Sequence, residues 1–208
     1  MASIADRIVR LPRTGKRNLI AIAGPPASGK STFAQALLEA LHKRQVYAGL
    51  LAMDGFHLDN KVLKDRAILH QKGAPETFDL PGFHSILERL SEPNEVLVPT
   101  FDRTRDITIG ASDVISPEMD TVVIEGNYLL LDEPGWRELS KLWTLSVRLN
   151  LSEDKLEKRL LARWFDLGLE YADAIAKTHQ NDLPNGRRVI ENSLAPDIIL
   201  KVDESEVA

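Results

Sequence analysis

Gly24-Pro25-Pro26-Ala27-Ser28-Gly29-Lys30-Ser31 has the spacing G-x-x-x-x-G-K-[ST]. In such a loop, backbone N–H groups of a glycine-rich turn close around phosphate oxygens, and the helix N-terminus that follows adds a field favouring anions. Lys30 is placed to reach the β- and γ-phosphates of a nucleoside triphosphate, and Ser31 to ligate Mg²⁺. Gly24, Ala27, Ser28, Gly29, Lys30, Ser31 and Thr32 are therefore the expected contacts of ATP or GTP. Asp54 is the second chemical candidate. A carboxylate at the tip of a strand beside the phosphate loop can accept the proton of an attacking hydroxyl while the γ-phosphoryl group is transferred. Its local alternative is a turn cap beside Gly55.

Other side chains complete the set. Glu125 ends another apolar run, before Gly126, and suits Mg²⁺ directly or through water, or a hydrogen bond to substrate. Arg103 and Arg105, in Phe101-Asp102-Arg103-Thr104-Arg105-Asp106, can clamp a carboxylate or phosphate of the substrate. The interleaved aspartates also allow plain surface ion pairs. Arg159 and Arg163 are four apart, beside Leu156 and Leu160, and on one helix face they would fold over the triphosphate and stabilise charge in transfer. Of the five histidines only His57 lies near a candidate catalytic residue, and no pair has H-E-x-x-H spacing. Tyr128-Leu129-Leu130-Leu131-Asp132-Glu133-Pro134 imitates the acidic strand end of transporter-type ATPases. A buried run already ends at Glu125, so Leu129–Leu131 are read as core beyond a turn.

Those residues need elements to hold them. Asn18–Ala23 is an apolar run suited to a buried parallel strand, and Thr32–Leu41 repeats apolar residues at helical spacing, so strand, loop and helix come in the required order. Further strands are expected at 45–53, 95–101, 121–125, 143–151 and 197–202, with Asp106–Ile109 pairing beside 95–101 and Pro99 marking an edge. Helices are expected at 3–10, 83–90, and from 155 to about 178, the last capped by Ser152. Alternating strands and helices predict an α/β fold, a doubly wound, mainly parallel sheet with helices on both faces. Its carboxyl edge would carry the ligands.

The 208 residues, 43% hydrophobic, suit one domain with a full core, residues 1–208, with a small helical lid at about 155–192. A net charge of −5 argues against nucleic acid as the main partner, and the lack of cysteine excludes disulfides and thiolate chemistry. No signal-like stretch and no run of membrane-spanning length is present, so a soluble, cytoplasmic protein with a small-molecule substrate is expected, a homodimer being left open. A GTP switch would need an N-K-x-D guanine reader, which is missing. A nucleotide-regulated binding module without transfer is the remaining alternative.

The phosphate loop, Asp54-Gly55-Phe56, Phe78-Asp79 and Glu125-Gly126 occur here in the order seen in a P-loop kinase group that holds uridine kinase, phosphoribulokinase and bacterial pantothenate kinase. Lys72-Gly73-Ala74-Pro75-Glu76-Thr77-Phe78-Asp79 is especially similar to the pantothenate kinase version, and the whole of about 18–200 resembles the short branch labelled nucleoside/nucleotide kinase-like or fructose transport system kinase. The resemblance implies an ATP- and Mg²⁺-dependent kinase acting on a hydroxyl of a sugar, nucleoside or related metabolite. It implies that Asp54 is the base, that Lys30 and Ser31 serve phosphate and Mg²⁺, that Arg103 and Arg105 hold substrate, and that the helix with Arg159 and Arg163 is a lid. Gly55-Phe56-His57 replaces the Ser-Phe-Tyr usual after the base in uridine kinases, which keeps a pantothenate-type kinase as an alternative.

Overall fold

The computed structural model describes residues 1–202. β1 (Asn18–Ala23) and β5 (Thr121–Gly126) are buried at every position, because both of their faces are covered. With β2 (Ala48–Ala52), β6 (Leu145–Asn150) and β7 (Ile198–Lys201) they form an all-parallel sheet in the order β2-β5-β1-β6-β7. The register sets Ile22 beside Glu125 and Ala52 beside the same glutamate. The phosphate loop after β1, Glu125 on β5 and Asp54 just beyond β2 thus leave the sheet at one edge.

Alternate residues of each strand feed two cores. On one face Ile20, Ile22 and Val147 pack with α1 (Ala2–Val9), α2 (Lys30–His42) and α5 (Glu153–Asp166) through Ile4, Leu37, Leu41, Leu156 and Leu160. On the other, Leu19, Val122 and Ile124 meet Phe83, Leu87 and Leu90 of α4 (Leu80–Leu90), together with Tyr128–Leu131 and Trp136. Leu129–Leu131 fill core, as the sequence suggests, and Glu133 pairs with Arg188 rather than facing the phosphate loop. Burying one such leucine contributes roughly 1.5–3 kcal/mol, so the two apolar layers dominate the fold's stability.

Three elements differ from expectation. β2 is shorter than 45–53, since Gln45 turns through a left-handed backbone (φ 61°) before the strand begins. The segment after Phe101 forms a longer strand than Asp106–Ile109: β3 (Val96–Asp102) and β4 (Ile107–Ile115) make their own antiparallel ribbon outside the main sheet. Most of β4 is exposed, so its sequence lacks the alternation that marks a half-buried strand. The register slips between Val98 and Thr100, around Pro99, which has no N–H to give the ladder. Finally, Ser152 stands at the start of α5 without a side-chain capping bond, and Glu153 and Asp154 in the first turn complement the helix field instead. The helix expected from 155 to about 178 is broken after Asp166, where Gly168 takes a left-handed backbone (φ 80°), and α6 (Tyr171–Lys177), a π-helical turn (Thr178–Asp182) and α7 (Leu183–Glu191) follow. Earlier, between β2 and α4, the chain forms the short α3 (Asn60–Asp65).

Candidate active site

The phosphate loop is shaped by crowding. A Cβ on Gly24 would stand 2.9 Å from both the Leu149 carbonyl oxygen and Ser28 Oγ, so only glycine passes there. Gly29, with φ +89°, precedes α2 in a left-handed conformation that glycine adopts at little cost. Ser28 Oγ is buried and has no hydrogen-bond partner. Lys30 donates to the Pro25 carbonyl at 2.8 Å, closing the loop on itself. Burial pushes the Lys30 ammonium down to about 8, against the opposing pull of Glu125 and Asp54. An unpartnered hydroxyl, a buried amine in a field of carboxylates and a loop that refuses a Cβ together fit a phosphate chain. Thr32, the next residue of α2, is exposed.

Ser31 Oγ donates to Glu125 Oε1 at 2.9 Å, so two hard oxygens meet between the first turn of α2 and the end of β5. Burial raises the Glu125 carboxyl, and the Lys30 ammonium partly offsets it. This donor set suits Mg²⁺, which takes oxygen ligands and keeps several waters.

Asp54 lies in the single helical turn Met53–Phe56 that ends β2. Gly55 lets that turn approach the ribbon, since a Cβ there would come 2.6 Å from the Pro99 carbonyl oxygen. The contact brings Arg103 over: its Nη2 donates to Asp54 Oδ2 at 2.5 Å. His57 donates Nδ1–H to the Asp54 carbonyl at 2.9 Å, and its ring lies between Phe78 and Phe101, with centroids 4.1 and 4.7 Å away. Burial lowers its basicity, with Asp54 opposing. Packed in this way, His57 props the turn that carries Asp54. Arg105 is not brought to Asp54: it stays largely exposed and pairs with Asp102 at 3.6 Å.

The helical stretch after β6 does reach the loop. Arg159 Nη1 approaches the Ala27 carbonyl at 3.5 Å. The Arg163 guanidinium lies 5.4 Å from the Trp164 ring, and burial lowers it, with Arg103 reinforcing and Asp182 and Asp54 opposing. Arg159 is thus beside the phosphate loop, and Arg163 lies within electrostatic reach of Lys30, Asp54 and Arg103.

Some contributors escaped residue-by-residue reading. Lys72 donates to Asn60 Oδ1 at 2.7 Å, pairs with Asp106 at 2.8 Å and lies over the Phe101 ring. Tyr128 donates to the Gly73 carbonyl at 2.6 Å, and Asn181 to the Lys72 carbonyl at 2.9 Å. The signal available was the similarity of Lys72–Asp79 to the pantothenate kinase segment. Asp79 in that segment is a helix cap, accepting from Gly82 N at 3.1 Å, so part of the motif is architecture.

Comparison with known proteins agrees with this geometry. Residues 19–165 match the model of the "Phosphoribulokinase / Uridine kinase family". A crystal structure of a "putative fructose transport system kinase" from Silicibacter sp. TM1040 is similar at 42% identity and TM-score 0.92, over 96% of this chain and 98% of that one. A "putative uridine kinase" of Schizosaccharomyces pombe is 32% identical over 94% of this chain and 88% of its own length. A pantothenate kinase of Listeria welshimeri is 34% identical over 72% of this chain, which spans only 50% of that protein. On this evidence the chain belongs to the phosphoribulokinase/uridine kinase family of P-loop kinases, phosphotransferases with an alcohol group as acceptor.

Proposed function

We propose that this chain transfers the γ-phosphoryl group of ATP to a hydroxyl of a sugar, nucleoside or related metabolite. The observation that carries the reading is Asp54 opening onto the same cleft edge as Lys30 and the Ser31–Glu125 pair. Gly24, Ala27, Ser28, Gly29 and Thr32 cradle the phosphates, and Lys30 leaves Pro25 to meet the β- and γ-oxygens. Mg²⁺, when held by Ser31 and Glu125, neutralises charge on the phosphates. Asp54 orients the acceptor hydroxyl and takes its proton. Arg159 and Arg163 close from the lid side, exclude water and stabilise negative charge on the moving group. Arg103 lies on the acceptor side of Asp54, and His57 supports the base's turn. Arg105 contributes only if it leaves Asp102. A cavity of about 400 Å³ at the carboxyl ends of β6 and β7, lined by Asn150, Ser152, Lys155 and Arg187 among others, lies on the side away from Asp54 and has room for the nucleotide base. No helix among the described residues is long and apolar enough to cross a membrane.

The test is Asp54→Asn. Calorimetry should find ATP affinity unchanged, while a coupled assay over a metabolite panel finds transfer reduced by about 10²–10⁴-fold, the usual worth of a general base. Full turnover by the variant on an acceptor used by the wild type would remove Asp54 from this role.

A further inference from the structure

Arg103 and Asp54 are paired in an asymmetric way. The Asp54 side chain sits in the wall at 22% exposure, whereas that of Arg103 is 58% exposed on the open side. Arg103 stands in the field of Lys30, Arg163 and His57, and of the nearby anions Glu125 accepts from Ser31. Its neighbour Asp102 is occupied with the turn, accepting from the Thr104 and Arg105 backbone N–H groups and pairing with the Arg105 side chain. Among the described residues, Asp54 is the carboxylate that Arg103 hydrogen-bonds.

Building on the kinase reading above, we propose that this pair is a latch opened by an anionic acceptor. The guanidinium covers the Asp54 oxygen to which the acceptor hydroxyl delivers its proton. A carboxylate or phosphate on the acceptor, offering a forked partner for the guanidinium, draws Arg103 away and uncovers the base. A neutral polyol or nucleoside has no such group, and displacing Arg103 for it leaves a cation unpaired beside Lys30 and Arg163. The acceptor class is therefore a hydroxy acid or a phosphorylated alcohol. Once the latch is open, the hydroxyl proton passes to Asp54, its oxygen bonds to the γ-phosphorus, and the bond to the β–γ bridging oxygen breaks, ADP keeping that electron pair. Water cannot open the latch, so the same contact restrains ATP hydrolysis when no acceptor is bound. Arg103 is in this sense a positioning residue that acts through Asp54.

The decisive measurement is phosphate release from MgATP without acceptor. Arg103→Ala should raise it about ten-fold over wild type, the rate equivalent of one charge-assisted hydrogen bond, and adding Asp54→Asn should return it to baseline. A structural role alone gives no such gain. In parallel, wild type is offered glycerate beside glycerol and ribose 5-phosphate beside ribose. Transfer to the charged member alone supports the latch, glycerate assigning a carboxylate and ribose 5-phosphate a phosphate; if no member is used, the hydrolysis comparison decides. Equal transfer to a neutral member overturns the proposal. So does unchanged hydrolysis by Arg103→Ala with ATP affinity intact, and so does a loss of ATP affinity, which would put Arg103 on the triphosphate. Failure of both proteins to bind ATP is a different result and removes the kinase reading itself.

Discussion

Burial costs the Lys30 ammonium more than Glu125 and Asp54 return, and the amine is pushed down to about 8 from an ordinary 10.5. Between those two values the unfolded chain holds a proton that the folded chain lacks. Stability contributed by this site therefore rises with pH across that window, by roughly 3 kcal/mol in all, and the burden of a buried charge is fully present below it. Phosphate oxygens reverse the balance by supplying the anions that the empty loop lacks. At pH 8, where the empty loop holds Lys30 about half protonated, ATP binding should take up about half a proton. Calorimetry in two buffers of different ionisation enthalpy reads that number directly, and Lys30→Met should abolish it. Zero uptake by wild type at pH 8 would mean that the empty loop already holds a full ammonium. The sequence singled out Lys30, Ser31, Asp54 and Glu125, which the fold brings together, because motif spacing and strand ends are local properties. It could not separate Arg103 from Arg105, since that choice depends on where the Asp102 turn aims two neighbouring side chains.

Elements carry the site only if their non-catalytic ends are tied. Arg17, buried before β1, donates to the carbonyls of Met119, Glu92, Asn94 and Ser116, each at 2.7 Å. One guanidinium thus joins the end of α4, the lead into β3, the exit of β4 and the approach to β5. Desolvation lowers this arginine, and Glu118 opposes, yet four carbonyls would lose their donor without it. Arg17→Ala should therefore cost about 2–4 kcal/mol in denaturant unfolding while leaving ATP affinity intact in the folded fraction. A change below 0.5 kcal/mol would show that water replaces the guanidinium freely. Nothing in the sequence singles out Arg17, because its partners are backbone groups far along the chain. β1, α2 and β5 were legible for the opposite reason: continuous apolar runs and helical spacing report burial without knowledge of the partner. Of β4 only the first residues were legible, as Asp106–Ile109, and its exposed remainder gave no such signal.

At the scale of the molecule, the helical stretch after β6 grips two different walls of the cleft. Arg159 reaches the phosphate loop at Ala27, whereas Arg188 on α7 pairs with both Glu76 and Glu133, and Asn181 on the π-helical turn holds the Lys72 carbonyl. Glu76 lies in the segment 72–79, whose Phe78 packs on His57 beside the Asp54 turn. On the proposed reading these are a nucleotide wall and an acceptor wall, attached to the helical lid at separate points, and cutting one should leave the other working. The Glu133 and Glu76 hydrogen bonds hold Arg188 strongly protonated, with burial opposing, so Arg188→Ala leaves two carboxylates facing each other without their cation. The acceptor segment should then loosen while Arg159 stays on the loop. The expected result is an acceptor KM about three- to ten-fold higher, on a coupling of roughly 1 kcal/mol, with ATP affinity within error of wild type. Steady-state kinetics with each substrate varied in turn separates the two. Equal losses for ATP and acceptor would mean that the lid and both walls move as one body, and the two-point attachment would have no functional consequence.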